Sequence, residues 1–408
     1  MLQNDKNNVT LKVVQKEINL MNITIIADVF GAQNNGTTIT IRRLIDGLKK
    51  RGHSVKLVSS YQTEEEGFVT LPRRHFGIFD DYITKGNGVE LAKPDKEILT
   101  KAIEGSDIVH IVLPFKVGVM AAKICKELNI PFTTAFHCQP ENFSGNIGIQ
   151  NFELLNNYLY NRFNRKLYKM ANRVHCPSQF IANQLYQHGY KTKNYVISNG
   201  VVPVFKKKKV KKPDALKDKF VILFIGRLSG EKRHDVLVKA VQYSKYKDKL
   251  HLIFAGNGPR EEKIKRLAEK VGAEVEFVFL PKEELCKVIN YSDLYVHPSE
   301  IEIEGISCIE AITCGLVPVL SNSKKAATSQ FALTNDNLFK CNDPKSLAKK
   351  IDFWIEHPEL KEELSKKYIE FAKKFQIEYS IDKMVEMFED EIAEHKQEML
   401  ELLNKQDA

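Results

Sequence analysis

Short apolar runs alternate with amphipathic segments along most of the chain. Residues 22–29 are almost continuously apolar, which is typical of a strand buried on both faces of a parallel sheet. The apolar residues that follow, from Ile41 to Leu48, recur at helical spacing and end before Gly52. The pattern then repeats, with strands predicted at 55–58, 108–112, 132–136 and 173–176 and helices at 121–128 and 180–187. The sequence therefore predicts an α/β fold with a doubly wound, mostly parallel sheet.

A strongly basic run, Lys-Lys-Lys-Lys-Val-Lys-Lys-Pro at 206–213, interrupts this alternation. Because so many like charges cannot be buried together, we place an interdomain linker there. The alternation then restarts, with strands predicted at 220–225, 250–255, 275–280, 294–296 and 317–320 and helices at 235–243, 261–271 and 309–314. The predicted organisation is an N-terminal extension (1–20), a first Rossmann-like domain (21–205), the linker (206–213), a second Rossmann-like domain (214–375) and a helical tail that packs back on the first domain (376–408).

Composition and charge narrow the class of protein. A chain of 408 residues exceeds what one core usually supports, which favours two domains with a cleft between them. Its 7 cysteines form no CxxC pair and no zinc-ligand spacing, so we expect reduced core thiols. The sequence has neither a long apolar window nor a secretory signal, and we expect a cytoplasmic protein. The net charge of +9 favours an anionic partner such as phosphate, nucleic acid or an anionic membrane surface.

Two glutamates separated by seven residues, Glu302 and Glu310, span a predicted loop and the start of a helix. Carboxylates accept hydrogen bonds from sugar hydroxyls, and the amides at a helix start can bind a diphosphate. This pattern indicates a site for a sugar nucleotide. The alternative interpretation is a solvated acidic stretch, since Glu300, Glu302 and Glu304 alternate along the same segment.

A loop with two cations follows the first strand of the second domain, at residues 226–233. Ligands of open α/β sheets bind at the carboxyl ends of strands. Arg227 can bind phosphate oxygens in bidentate fashion, and Lys232 can neutralise them as a point charge. The alternative interpretation is a solvated basic turn. The predicted buried strand before Gly226 argues against it.

Together these motifs resemble glycosyltransferase family 4, whose members are retaining enzymes with the GT-B fold. The resemblance extends from Met21 to the helical tail. It rests on Gly226-Arg227-Leu228 with Glu231-Lys232, on Ala255-Gly256-Asn257-Gly258-Pro259, and on Glu302 to Glu310 with Ala311, Cys314-Gly315 and Pro318-Val319. It implies two Rossmann-like domains that face a central cleft, with the acceptor bound mainly by the first domain and the nucleotide-sugar donor by the second.

The resemblance also implies roles for individual residues. Glu310 would hold the ribose hydroxyls, and Glu302 would face the transferred hexose as a catalytic residue. The other donor contacts that it implies come from Arg227 and Lys232 at the diphosphate, from Phe279 and Leu280 at the base, and from Asn257, Gly305, Ile306 and Ser307. No metal or other cofactor is expected, because the sequence has no Asp-x-Asp motif and the two cations would take a metal's role.

Two segments depart from the family pattern. Where the family usually has Gly-Phe-Gly between the paired glutamates, this chain has Ile303, Glu304 and Gly305. Where the family usually has a double-glycine loop, this chain has Asn-Asn-Gly-Thr-Thr at 34–38. Gly36 would still allow the backbone to approach the donor's β-phosphate.

The resemblance places further residues of the first domain at the substrates. His137 matches the histidine that follows a first-domain strand and lies beside the transferred sugar, and we expect it to be catalytic. The remaining predicted contacts are Thr37 to the donor and Asn34, Asn35, Gln139 and Glu141 to the acceptor. For Asn34 an ordinary Asn/Gly turn is an equally open interpretation.

A segment rich in aromatic and basic residues, 152–170, is predicted to be an amphipathic helix. Such a helix can rest on an anionic bilayer. The alternative is a helix packed on the core with a solvated basic face. The predicted membrane contacts are Phe152, Tyr158, Arg162, Phe163, Arg165, Lys166 and Lys169.

The chain also resembles Gram-positive diacylglycerol glucosyltransferases. This resemblance implies transfer of a hexose, with glucose from UDP-glucose as first choice, to a lipid such as diacylglycerol at the inner face of the cell membrane. A cell-wall or capsular polysaccharide acceptor and a nucleotide-sugar epimerase of the same fold stay open. A non-catalytic nucleic-acid-binding protein would use the basic run but leave the paired glutamates unexplained, so we expect no nucleic-acid partner.

Overall fold

The computed structural model describes residues 19–31, 36–75, 91–142 and 152–406. Two parallel sheets dominate it, and the predicted doubly wound α/β architecture is confirmed. No helix within these ranges is both long and apolar enough to cross a membrane. The predicted N-terminal extension lies almost entirely outside the described residues, as do Asn34 and Asn35.

The first domain is built on a seven-stranded sheet in which every pairing is parallel. Its strands are β1 (Asn22–Ile26), β2 (Ser54–Ser59), β3 (Phe68–Thr70), β4 (Ile108–Ile111), β5 (Phe132–Ala135), β6 (Arg173–Cys176) and β7 (Lys193–Val196). They lie in the order β3-β2-β1-β4-β5-β6-β7. The helices that cover it are α1 (Gly36–Lys50), α2 (Lys96–Ile103), α3 (Lys116–Glu127), α4 (Glu153–Lys166) and α5 (Gln179–Gln187). All residues of β4, β5 and β6 are buried, as expected for central strands covered on both faces.

The second domain is built on a six-stranded parallel sheet in the order β10-β9-β8-β11-β13-β15. Its strands are β8 (Phe220–Ile225), β9 (Leu250–Ala255), β10 (Val275–Val278), β11 (Leu294–His297), β13 (Pro318–Ser321) and β15 (Leu338–Phe339), and a separate two-stranded sheet pairs β12 (Ile301–Glu302) with β14 (Lys325–Ala326). Its helices are α6 (His234–Val241), α7 (Glu261–Val271), α8 (Lys282–Tyr291), α9 (Ile306–Thr313), α10 (Pro344–Glu356) and α11 (Pro358–Ala372). One hydrophobic core, with Phe224, Phe254 and Trp354 fully buried in it, fills this domain.

The last helix, α12 (Ile377–Gln406), returns from the second domain to the first. Its Ile381 and Phe388 are buried in the same core as β1 and α1. The contact with α1 is close at Gly47, where a Cβ atom would lie 2.5 Å from Ile381. A larger residue at position 47 would therefore push the tail away.

Predicted and observed elements differ mainly at their ends. The first strand ends at Ile26 rather than Val29, and the helix predicted from Ala121 begins at Lys116. The helix predicted over 152–170 ends at Lys166, and a 3₁₀ turn follows at Tyr168–Met170. That turn brings the Tyr168 hydroxyl into the core, where it donates a hydrogen bond to the Ala135 carbonyl at 2.9 Å.

Candidate active site

A cleft of about 510 Å³ lies between the two domains. The first domain contributes the start of α1 and the loop after β5, and the second contributes the loop after β8, strand β12 and the start of α9. The cleft is lined by ten of the residues predicted from sequence, namely Gly36, Thr37, His137, Arg227, Lys232, Glu302, Gly305, Ile306, Ser307 and Glu310. The fold thus gathers motifs that lie up to 274 positions apart in the sequence around one space, since Gly36 and Glu310 both line it.

Other predicted residues do not line this cleft. Phe279 lies on the surface after β10 and is 68% exposed, and neither Leu280 nor Asn257 borders the cavity. Gln139 and Glu141 are buried next to it, where the Gln139 side-chain amide donates to the Lys325 carbonyl at 3.3 Å. The described residues therefore place neither of these two side chains on the cleft wall.

Lys232 and Glu302 form an ion pair on the wall of the cleft, with 2.5 Å between Nζ and Oε2. Lys232 ends a 3₁₀ turn at Gly230–Lys232, directly after β8 and its loop, while Glu302 belongs to β12. Their side chains are only 17% and 16% exposed. Burial alone would raise the pKa of Glu302, but the adjacent Lys232 and His297 hold it well below its usual range. The carboxylate therefore stays ionised and faces the cavity.

A chain of hydrogen bonds behind Glu302 fixes its orientation. His297 Nε2 lies 3.2 Å from Glu302 Oε2, and His297 Nδ1 lies 2.8 Å from the Tyr295 hydroxyl. The Tyr295 oxygen is in turn 3.0 Å from Ser307 Oγ. Burial lowers the pKa of His297, so a neutral ring that donates to Glu302 and accepts from Tyr295 satisfies the network. This network connects Glu302 to the first turn of α9.

The N-terminus of α9 opens on the same cavity. Gly305 precedes the helix with φ of 92°, a left-handed conformation in which a side chain is strained. A Cβ atom at this position would also lie 2.4 Å from Thr328. Glycine therefore lets the backbone turn here and leaves the amides of Ile306 and Ser307 at the cleft, where a helix start favours a negatively charged group.

Glu310 lies one turn further along α9 and is 8% exposed. Its Oε1 accepts a hydrogen bond from Arg43 Nη2 at 3.0 Å. Arg43 belongs to α1 of the first domain, so this ion pair joins the two domains across the cleft. Burial raises the pKa of Glu310, and the positive charge of Arg43 opposes that rise.

Glu304, one of the two residues that depart from the family's Gly-Phe-Gly pattern, also joins the two domains. Its carboxylate accepts hydrogen bonds from the Ser198 hydroxyl and from the side chain and backbone amide of Asn199, the last at 3.0 Å. The neighbouring Ile303 carbonyl accepts a hydrogen bond from the Ser178 hydroxyl at 2.6 Å. The substitution therefore adds polar contacts between the domains at a position where the family usually has a phenylalanine.

Glu304→Gln should remove a pH dependence of cleft closure. Burial raises the pKa of Glu304 from 4.5 to about 7 while it contacts the first domain. Closing the cleft then takes up a proton between the two values, so the closed form is favoured in acid and weakens as the pH rises through about 7. The Kd of the native protein for a ligand bound in this cleft should rise over this range, and that of the variant should stay flat. Calorimetric binding of such a ligand between about pH 5.5 and 8.5 measures this.

The control for this experiment is Glu283→Gln, at an exposed glutamate in the first turn of α8. This variant should keep the pH profile of the native protein. A Glu304→Gln protein whose Kd rises with pH as in the native protein would show that a group other than Glu304 titrates.

His137 follows β5 and reaches the cleft from the first domain. Its ring lies 5.1 Å from that of His175, centroid to centroid, and His110 lies beyond. Burial first, and then these two histidines, hold the pKa of His137 well below its usual range. The ring is therefore neutral at physiological pH and can accept or donate a hydrogen bond at the cavity.

Helix α4 has one buried and one exposed face. Tyr160 and Phe163 are buried, and Phe163 packs against Phe115 at 6.5 Å between ring centroids. The prediction that Phe163 contacts a membrane is therefore wrong, because this residue lies on the core side of the helix. The other predicted contacts are exposed, and they are Phe152, Tyr158, Arg162, Arg165, Lys166 and Lys169.

Two parallel-sheet domains that face one cleft are the architecture of GT-B glycosyltransferases, and this chain has it. Its first domain belongs to the family described as "Glycosyltransferase Family 4", which matches residues 34–204, and its second to "Glycosyl transferases group 1", which matches residues 205–375. The chain is therefore a glycosyltransferase.

Known proteins resemble this chain over most of its length. An alpha-monoglucosyldiacylglycerol synthase of Streptococcus pneumoniae is 25% identical over 346 residues, which is 78% of this chain and 74% of that protein. A GDP-mannose-dependent alpha-mannosyltransferase of Corynebacterium glutamicum is 25% identical over 302 residues, 69% of this chain and 68% of that one. The crystal structure of Anabaena HepE with UDP and glucose is 15% identical with a TM-score of 0.69, covering 91% of this chain and all (100%) of that one.

Proposed function

We propose that this chain is a retaining hexosyltransferase that transfers glucose from UDP-glucose to a membrane lipid such as diacylglycerol. The observation that carries the donor half of the proposal is the Lys232–Glu302 pair beside the start of α9. A diphosphate in this cleft would meet positive side chains and helix amides, and the carboxylates of Glu302 and Glu310 would accept hydrogen bonds from sugar hydroxyls. Two relatives are each named alpha-monoglucosyldiacylglycerol synthase, and these names support the choice of glucose and diacylglycerol.

The reaction would develop negative charge on the leaving diphosphate. Arg227 and Lys232 would stabilise that charge without a metal ion, and the buried site would strengthen their effect. In this proposal retention follows from attack on the same face that the diphosphate leaves, with His137 beside the transferred sugar. Chelating divalent ions with EDTA should leave the transfer rate unchanged.

The exposed face of α4 supports a membrane acceptor. Phe152, Leu154 and Tyr158 are 54%, 74% and 52% exposed, and cations follow them along the helix. The buried face of the same helix packs behind the loop after β5 that borders the cleft, since Tyr160 donates a hydrogen bond to Glu141 at 3.2 Å. A helix that rests on an anionic bilayer in this way would bring the cleft close to a lipid substrate.

Incubation with radiolabelled nucleotide sugars tests the function. The protein would be given UDP-glucose, UDP-galactose or GDP-mannose, with phosphatidylglycerol liposomes that contain or lack diacylglycerol. We expect label in the lipid extract from UDP-glucose when diacylglycerol is present, with an α linkage by NMR. Label that stays in water-soluble polysaccharide, or a change in the donor without any acceptor, would replace the proposal with the polysaccharide transferase or the epimerase.

Reversing two charges on α4 tests the membrane face. Arg162→Glu/Arg165→Glu should weaken sedimentation with anionic liposomes at least about tenfold, because each cation near such a surface contributes about 1 kcal/mol. Binding of UDP should not change. The matched control is Lys123→Glu/Lys126→Glu, at two exposed lysines of α3. Equal sedimentation of both variants would contradict a specific role for α4.

A further inference from the structure

Arg43 is a buried cation that the family motifs do not include. It lies on α1 and is only 8% exposed. Most of the other buried residues on this face of the helix are apolar. Its guanidinium donates hydrogen bonds to the Gly200 carbonyl at 2.7 Å and to Glu310 Oε1 at 3.0 Å. Arg43 therefore connects α1, the chain after β7 and helix α9 of the opposite domain.

The partner of Arg43 has a second oxygen that remains available. Glu310 lines the cleft, and its Oε2 has no hydrogen bond within the described part of the chain. A carboxylate held at one oxygen by a guanidinium presents the other oxygen in a fixed direction. Such an oxygen can accept a hydrogen bond from a ligand hydroxyl without first losing its own partner.

The charge state of Glu310 depends on the same contact. Burial favours the neutral acid, and the coulombic and hydrogen-bonding effects of Arg43 are the largest that oppose it. Without the guanidinium, a carboxyl this deeply buried would take up a proton more readily. It would then be a weaker acceptor for a hydroxyl, since hydrogen bonds to charged groups are the stronger ones.

We propose that Arg43 is a positioning residue that holds the Glu310 carboxyl group oriented toward the ribose hydroxyls of the donor nucleotide. The inference rests on the proposed function, because it assumes that a nucleoside diphosphate occupies the cleft. Its consequence is that α1 of the first domain takes part in recognition of the ribose through Glu310 of the second domain. The site for the ribose is complete only when the two domains meet.

The test compares two ligands that differ only in the ribose hydroxyls. Calorimetry would measure the Kd of UDP and of 2′,3′-dideoxyuridine diphosphate, with GDP and its dideoxy form as a second pair. The native protein should bind UDP about 10- to 100-fold more tightly than the dideoxy compound. Arg43→Met should bind the dideoxy compound as the native protein does and lose the preference for UDP.

Control variants separate positioning from folding. Arg51→Met removes an arginine just after the same helix, where it contacts Asp382 of the tail outside the cleft, and should keep the preference for UDP. Arg43→Lys retains the charge and should keep most of the preference. Glu310→Gln should lose it, and adding Arg43→Met to Glu310→Gln should cause no further loss.

The outcomes distinguish the inference from the function on which it rests. An Arg43→Met protein that keeps the full preference for UDP, or that loses affinity equally for both compounds, overturns the role of Arg43 and leaves the glycosyl transfer intact. A native protein that binds neither pair of nucleotides overturns the proposed donor site itself. If Arg43→Met does not fold, Glu310→Gln and Arg43→Lys decide the inference by the same comparison.

Discussion

Lys232→Met should lower the rate of sugar transfer by about 10²- to 10³-fold. Lys232 is a largely buried cation on the cleft wall, which also includes the start of α9, where the diphosphate is proposed to leave. A preorganised charge at this point stabilises the transition state more than the bound substrate, because negative charge grows as the sugar bond breaks. Methionine is also unbranched but carries no charge, and because the lost charge acts mainly in the transition state, the loss should appear mainly in kcat.

Single-turnover kinetics with saturating donor would measure this effect apart from binding. Lys239→Met serves as the control, since Lys239 is a half-exposed lysine on α6 that pairs with Asp235 away from the cleft. Lys232→Arg should retain part of the activity, because the charge stays while its geometry changes. A Lys232→Met protein that transfers sugar at the native rate, or whose defect lies only in KM, would show that the diphosphate leaves elsewhere.

Central strands were predictable because burial on both faces leaves a continuous apolar run. Strands β8 and β9 have the predicted bounds, 220–225 and 250–255. The strands that the sequence did not reveal lie at sheet edges and are short, as β3, β7 and β15 are. An edge strand packs on fewer neighbours, so residues such as those of β7 stay partly exposed and carry no clear apolar pattern.

The motif residues of the cleft were predictable for a different reason. In each domain the loops at the carboxyl ends of the parallel strands meet at one edge of the sheet. His137 follows a strand of the first sheet and Arg227 a strand of the second, and both side chains line the cleft between the domains. Contacts between the domains have no such local signal. Arg43 and His297 were missed, although a basic residue on the buried face of α1 could have drawn attention. The role of Glu304 depends on its contacts with Ser198 and Asn199, and Asn199 lies 105 positions away in the sequence. No pattern within one segment can predict such contacts.

The attachment of the tail to the first domain depends on a buried ion pair. Arg173 of β6 is 5% exposed, and it donates to Glu391 of α12, itself 3% exposed, at 2.6 Å. A second contact joins Arg173 to Glu394 at 2.5 Å, and a third joins it to the Tyr195 hydroxyl at 3.2 Å. The guanidinium thus connects two strands of the first sheet to the returning helix.

Arg173→Met should destabilise the protein by about 3–5 kcal/mol and lower its melting temperature by about 5–10 °C. The substitution leaves the Glu391 carboxylate buried without its partner, which costs more than the loss of the pair's own attraction. Thermal unfolding followed by circular dichroism would measure the change. Lys193→Met is the control, because Lys193 is 59% exposed and pairs with the same helix at the surface, where an ion pair contributes less than about 1 kcal/mol.

The same variant should regain stability in acid. Burial already raises the pKa of Glu391, and Arg173 opposes that rise, so removing Arg173 raises this pKa further in the folded protein. A carboxyl group whose pKa is higher in the folded than in the unfolded state does not lower the free energy of unfolding below the unfolded pKa, about 4.5. As the pH rises from there through the folded pKa, the loss of stability grows to its full size. Arg173→Met/Glu391→Met should therefore be close to native stability at neutral pH, since no unpaired charge remains buried. If this double variant is no more stable than Arg173→Met alone, lost packing around the guanidinium, rather than the unpaired carboxylate, causes the instability.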